Sequence, residues 1–97
     1  MIEFLYDCIR ATADDDTPIV AKITNNDGEC ITEACHLMLY DNEDNLVAEV
    51  MGNFTDDIWE FVIPQETAKG FRGRYFYCIC DHHSGNRYCF KQPIYFV

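Results

Sequence analysis

The sequence predicts an all-β protein, an antiparallel β-sandwich of about seven short strands. Three observations carry that prediction. Apolar residues recur at period two in one stretch after another, with turn residues between them. No stretch holds a sustained helical period. The strand-like stretches come at the short, regular spacing of two packed sheets. The 97 residues make one domain, 1–97, near the lower end of the range that buries its own core.

Residues 2–10 alternate, with Ile2, Phe4, Tyr6 and Cys8 on one side of a half-buried strand. Residues 11–17, which include Asp14, Asp15 and Asp16, read as a polar loop. Pro18 opens a second strand, with Ile19, Ala21 and Ile23 on one face and Lys22 and Thr24 on the other. Asn25-Asn26-Asp27-Gly28 is a turn, because Asn, Asp and Gly tolerate left-handed backbone. From Ala34 to Tyr40, Cys35, Leu37 and Leu39 face one way and His36 and Met38 the other. Residues 41–45 form a loop between hairpin strands, and Leu46 to Met51 resumes the alternation until Gly52-Asn53 breaks it.

Trp59, Phe61 and Ile63 share one face of a strand that Pro64 ends by removing a ladder donor. Residues 65–69 are a corner with room for a single helical turn. Gly70 and Gly73 bracket that corner, where a positive φ costs a glycine least. The most apolar strand follows: Tyr75, Tyr77 and Ile79 lie on one face, Phe76, Cys78 and Cys80 on the other. A strand apolar on both faces belongs inside a sheet. His82–Arg87 is a hairpin loop, and Tyr88–Val97 closes the chain, with Pro93 marking a bulge or an edge. The arrangement is that of an immunoglobulin-like sandwich.

The formal net charge is −10, unevenly spread. Residues 1–66 hold sixteen acids against Arg10 and Lys22, a charge of −14. Residues 67–97 hold Asp81 against Lys69, Arg72, Arg74, Arg87 and Lys91, a charge of +4. Such a molecule repels nucleic acid and membrane over most of its surface, which argues against both as partners. It could draw its own copies, or a basic partner, in a preferred orientation. No apolar run nears the roughly 18 residues of a membrane span. The N-terminus lacks the marks of a signal peptide, so six cysteines are expected to be free thiols in a reducing compartment.

Four segments come in a familiar order: Asn26-Asp27-Gly28, LYDNEDNLV from Leu39 to Val47, WEFVIP from Trp59 to Pro64, and TAKGFRGRYFYCI from Thr67 to Ile79. Over roughly residues 17–97 the chain resembles small immunoglobulin-like domains of tailed-phage structural proteins, such as the N-terminal domain of baseplate upper proteins. The resemblance implies an assembly module of the virion, with no catalytic residues to transfer. Baseplate proteins usually continue into a coiled-coil or receptor-binding region, whereas this chain stops at Val97. The resemblance therefore implies a stand-alone component, synthesised in the host cytoplasm and built into the virion. Its partners would be major capsid or tail proteins, or further copies of itself.

Chemistry is sparsely signalled. Cys78, Cys80 and His82 share a strand face with Cys89 across the hairpin, which could make a zinc tetrahedron. The C-x-C spacing departs from the usual C-x₂-C, and small core residues or a disulfide to a neighbouring strand account for the same cysteines. None of the acidic loops at Asp14–Asp16, Asp41–Asn45 and Asp56-Asp57 matches the D-x-D-x-D-G calcium loop, Asp41–Asn45 lacking both the glycine and the distal glutamate, so they read as solvated turn acids. No cofactor is implied, and no nucleophile, phosphate or zinc-protease motif points to an enzyme. The expected function is protein–protein contact, through Asp41, Glu43 and Asp44 in one loop, His82, His83 and Arg87 in another, and Tyr95 and Val97 in the last strand. The alternative is a small acidic inhibitor that imitates nucleic acid and blocks a host enzyme.

Overall fold

The computed structural model describes residues 1–7, 10–12 and 14–97. In chain order the elements are β1 (Ile2–Tyr6), β2 (Arg10–Ala11), β3 (Thr17–Ile23), β4 (Cys35–Tyr40) and β5 (Leu46–Met51). There follow β6 (Asn53–Thr55), β7 (Ile58–Ile63), α1 (Gln65–Ala68), β8 (Gly73–Asp81) and β9 (Gln92–Phe96). One sheet has the order β1-β3-β7-β6, the other β2-β9-β8-β4-β5. Neighbours are antiparallel except β2, which runs parallel to β9 through Arg10 and Ala11.

The alternation decides which face is buried. Ile19, Ala21 and Ile23 of β3 and Trp59, Phe61 and Ile63 of β7 line the inner face of the first sheet. Leu37, Leu39, Tyr77, Ile79, Ile94 and Phe96 face them from the second, and all are buried. Strand β8 lies between β4 and β9, the interior place expected for a strand apolar on both faces. The Trp59 indole N–H donates to the Ile31 carbonyl at 2.8 Å, fastening the loop before β4 to the core. The corner turn α1 forms after Pro64, and Gly70 and Gly73 have φ of 92° and 89°.

Three stretches differ from the alternation. Residues 2–10 are not one strand. Pairing shifts between Phe4 and Tyr6, β1 ends there, and the chain reappears beside β9 as β2. Leu5 and Tyr6 are exposed as a result, and Cys8 and Ile9 lie outside the described residues. Residues 46–55 pass from one sheet to the other at Gly52, so β6 belongs to the opposite sheet from β5. A Cβ on Gly52 would lie 2.6 Å from Phe61 Cε1 and 2.7 Å from Trp59 Cε3, which explains the glycine at the crossing. Finally, Tyr88–Lys91 is not regular strand. Ile79 N–H donates to Cys89 Sγ at 3.4 Å, so a sulfur stands where a ladder carbonyl would be, and β9 starts only at Gln92.

Candidate interaction surface

The two loops expected to make contacts lie at opposite ends of the five-stranded sheet, because Cys35 pairs with Asp81 and Tyr40 with Phe76. In the first loop the Asp41 carboxylate accepts the Glu43 and Asn45 backbone N–H groups, each at 2.9 Å. The Asn45 N–H, foremost, holds the Asp41 carboxyl below the usual aspartate range. Asp44 has a φ of 69° and pairs with Lys91, whose ammonium sits 4.1 Å over the Tyr40 ring. Of these acids Glu43 has its backbone N–H engaged by Asp41 and its side chain in solvent.

At the other end, Asp81 accepts the Ser84 hydroxyl at 2.7 Å and the His83 N–H at 3.1 Å, and these bonds hold its carboxyl down. His82 Nδ1 is 3.4 Å from His36 Nδ1, the rings edge to face at 5.1 Å. His36 is buried and His82 exposed, so the pair ties the hairpin to β4. His83 packs edge-on against His82. Arg87 stands opposite Cys80 in an isolated bridge and is exposed. Tyr95 projects from β9 opposite Arg74, and Val97 donates its N–H to the Ala11 carbonyl at 2.8 Å. The eight residues therefore do not converge on one surface.

Cys78 and Cys80 sit on the outer face of β8 with sulfurs 3.7 Å apart, yet both are buried. Burial, foremost, pushes the Cys80 thiol up to about 12 and the Cys35 thiol up to about 11. Cys89 is engaged by the Ile79 N–H. Among the described residues no group of three or more His, Cys, Asp or Glu side chains is placed to hold a metal ion, and no helix is long and apolar enough to cross a membrane.

Two features escaped the sequence reading. Strand β5 is an outermost strand with Leu46, Val47 and Met51 exposed by 47%, 38% and 50%. A groove of about 650 Å³ opens between β1 and residues 87–92. Its signal in the sequence was slight: Phe90, an aromatic in a hairpin arm with cations at Arg87 and Lys91.

The two facing sheets, the parallel β2 and the strand that changes sheet at Gly52 define an immunoglobulin-like β-sandwich. Among solved structures the chain is similar to the Lin-41 filamin domain, with a TM-score of 0.69 over 99% of this chain and 91% of that one. The sequences are 12% identical, so the likeness is one of fold. No protein-family model matches the chain, and no curated protein matches it.

Proposed function

We propose that this chain is a non-catalytic interaction module that assembles into a larger particle, as the tailed-phage components it resembles do. The supporting observation is the edge strand β5. Leu46–Met51 reads LVAEVM, with Glu49 as its one charge. Solvent-facing edges are usually guarded by lysine, proline or a bulge, since their open backbone groups invite another strand. Strand β5 has neither lysine nor proline. Its pairing shifts once, between Leu39 and Tyr40 of β4, which leaves Ala48–Met51 in regular register. Such an edge is suited to β-augmentation by a neighbouring subunit. In this reading the neighbours are capsid or tail proteins, or further copies of the chain, and the protein resides in the virion.

Mass spectrometry of purified particles from the source tests the reading. Abundance matching the major capsid protein indicates decoration, and a small fixed copy number indicates tail or baseplate. Met51→Lys, at an exposed position, should block incorporation while the isolated protein keeps its thermal transition. Absence from particles, with salt-sensitive capture of a basic nucleic-acid enzyme, would favour the acidic inhibitor instead.

A further inference from the structure

We infer that Cys78 and Cys80 form a binding site for a monovalent thiophilic cation, copper(I), held between two thiolates on the outer face of β8. The inference goes beyond the reading of the chain as an interaction module and does not depend on it. Tyr77 and Ile79 fill the core between the sheets, with Cys35 in the same cluster, but Cys78 and Cys80 belong to no part of it. They are nevertheless 0% and 4% exposed. Two small, polarizable side chains are thus closed off from solvent on the face of the sheet that does not build the core. Strand β4 flanks them on one side, with Met38 opposite Cys78 and His36 opposite Cys80. The arm after the hairpin flanks them on the other, with Arg87 opposite Cys80.

The spacing of the sulfurs, 3.7 Å, favours a shared ion over a covalent bond. A disulfide requires about 2.05 Å between sulfurs and Cα atoms no more than about 6.8 Å apart. Two residues of antiparallel strand span about 6.8 Å, the limit of that range, so oxidation would strain β8 in the middle of its sheet. One ion at the usual metal–sulfur distance of about 2.3 Å from each thiolate spans the existing gap. Zinc takes four ligands, and among the described residues no third His, Cys, Asp or Glu completes the pair. Cys89 is engaged by the Ile79 N–H instead. Soft sulfur ligands select copper(I), and Met38 sets a thioether on the neighbouring strand at the level of Cys78.

Charge points the same way. One copper(I) and two thiols give a dithiolate complex of single negative charge and two released protons. A buried charge needs a partner, and Arg87 supplies it. Burial, foremost, raises the Cys80 and Cys89 thiols, and the Arg87 charge acts on both in the opposite sense. A divalent ion on the same pair would be neutral and would make no use of Arg87. The raised thiol does not bar the cation, which displaces the proton, whereas an alkylating agent must wait for the thiolate.

Anaerobic titration of the reduced full chain with copper(I), in competition with the chelator bicinchoninate, tests this. One equivalent should be withdrawn from the chelator, and that equivalent should raise the thermal transition of the chain. X-ray absorption should find only sulfur neighbours around the metal. Cys78→Ala and Cys80→Ala each leave a single thiol, and breaking the chelate should weaken retention about a hundredfold or more. Cys35→Ala, equally buried but in the core cluster, should keep the bound equivalent, which separates loss of the site from loss of packing. The half-buried Cys30 should be dispensable as well, so Cys30→Ser should titrate as the parent does. Retention in both Cys78→Ala and Cys80→Ala would place the ion elsewhere and overturn the inference. So would copper uptake without a rise in the thermal transition, an equal rise with zinc(II), or nitrogen or oxygen neighbours at the metal.

Discussion

Cys78 and Cys80 illustrate how burial decides chemistry at single residues. Their sulfurs are neighbours, but a thiol reacts as its thiolate, and burial holds the Cys80 proton to about 12 and the Cys35 proton to about 11. At pH 8 the Cys80 thiol is therefore protonated and unreactive. Iodoacetamide treatment of the native protein, read by peptide mass spectrometry, should therefore label the half-buried Cys30 first among the described cysteines. Cys35, Cys78 and Cys80 should react only after unfolding. Rapid native labelling of Cys80 would contradict this account. Gly52 shows the complementary constraint, space rather than charge. Gly52→Ala drives a Cβ into the Phe61 and Trp59 rings, and overpacking of that kind costs about 1–3 kcal/mol. Urea denaturation should show a lower midpoint with an unchanged slope.

At the scale of the elements, the hairpins differ in what closes them. The β6–β7 turn has Asp56 and Asp57 at φ 52° and 66°, two left-handed residues as a type I′ turn requires. Left-handed backbone is costly for residues with a Cβ, so Asp57→Gly should raise stability by up to about 1 kcal/mol, read as an upward shift of the thermal midpoint. The β8 hairpin is instead closed by Asp81. Its carboxyl is held below the ordinary aspartate range, so its contribution is present above the unfolded value and lost as pH falls through the folded one. Asp81→Asn should thus melt lower than the parent at pH 7, with the difference shrinking as the carboxylate protonates. An equal gap at acid and neutral pH would remove the hydrogen-bonded carboxylate as the cause.

Much of this architecture was legible because side-chain alternation is a local property: β3, β4, β7 and β8 bury the faces their sequences mark. What was not legible depends on partners distant in sequence. The fate of residues 2–10 turns on β9 offering a parallel edge to Ala11. The late start of β9 turns on the Cys89 sulfur meeting the Ile79 N–H. Among the candidate contact residues, Asp41 is occupied in closing its own loop and Asp44 in pairing with Lys91, engagements that residue type and loop position do not reveal. The open groove arises from two strand ends that no local pattern could bring together.

For the molecule as a whole, the balance of seventeen acids against seven Lys and Arg makes self-repulsion a term in stability. The acids of residues 1–66 are folded into a body of 40 × 25 × 19 Å, where many of them lie within a few Debye lengths of one another. Ion pairs oppose this, and Lys91 with Asp44 is one, but its carboxylate is largely exposed and an exposed pair contributes little. Repulsion should therefore prevail at low ionic strength. The thermal midpoint should rise as sodium chloride goes from about 10 mM, where the Debye length is about 30 Å, to about 150 mM, where it is about 8 Å. It should flatten beyond that range, since further screening has little left to remove. A neutral osmolyte at matched osmolality should not reproduce the rise. A midpoint that falls with salt would mean that attractive pairs, and the +4 charge of residues 67–97 set against the −14 of the rest, outweigh the repulsion. The same titration bears on assembly. If oppositely charged surfaces of neighbouring copies attract, salt should stabilise the monomer while it dissolves the oligomer, and light scattering alongside the melt separates the two effects.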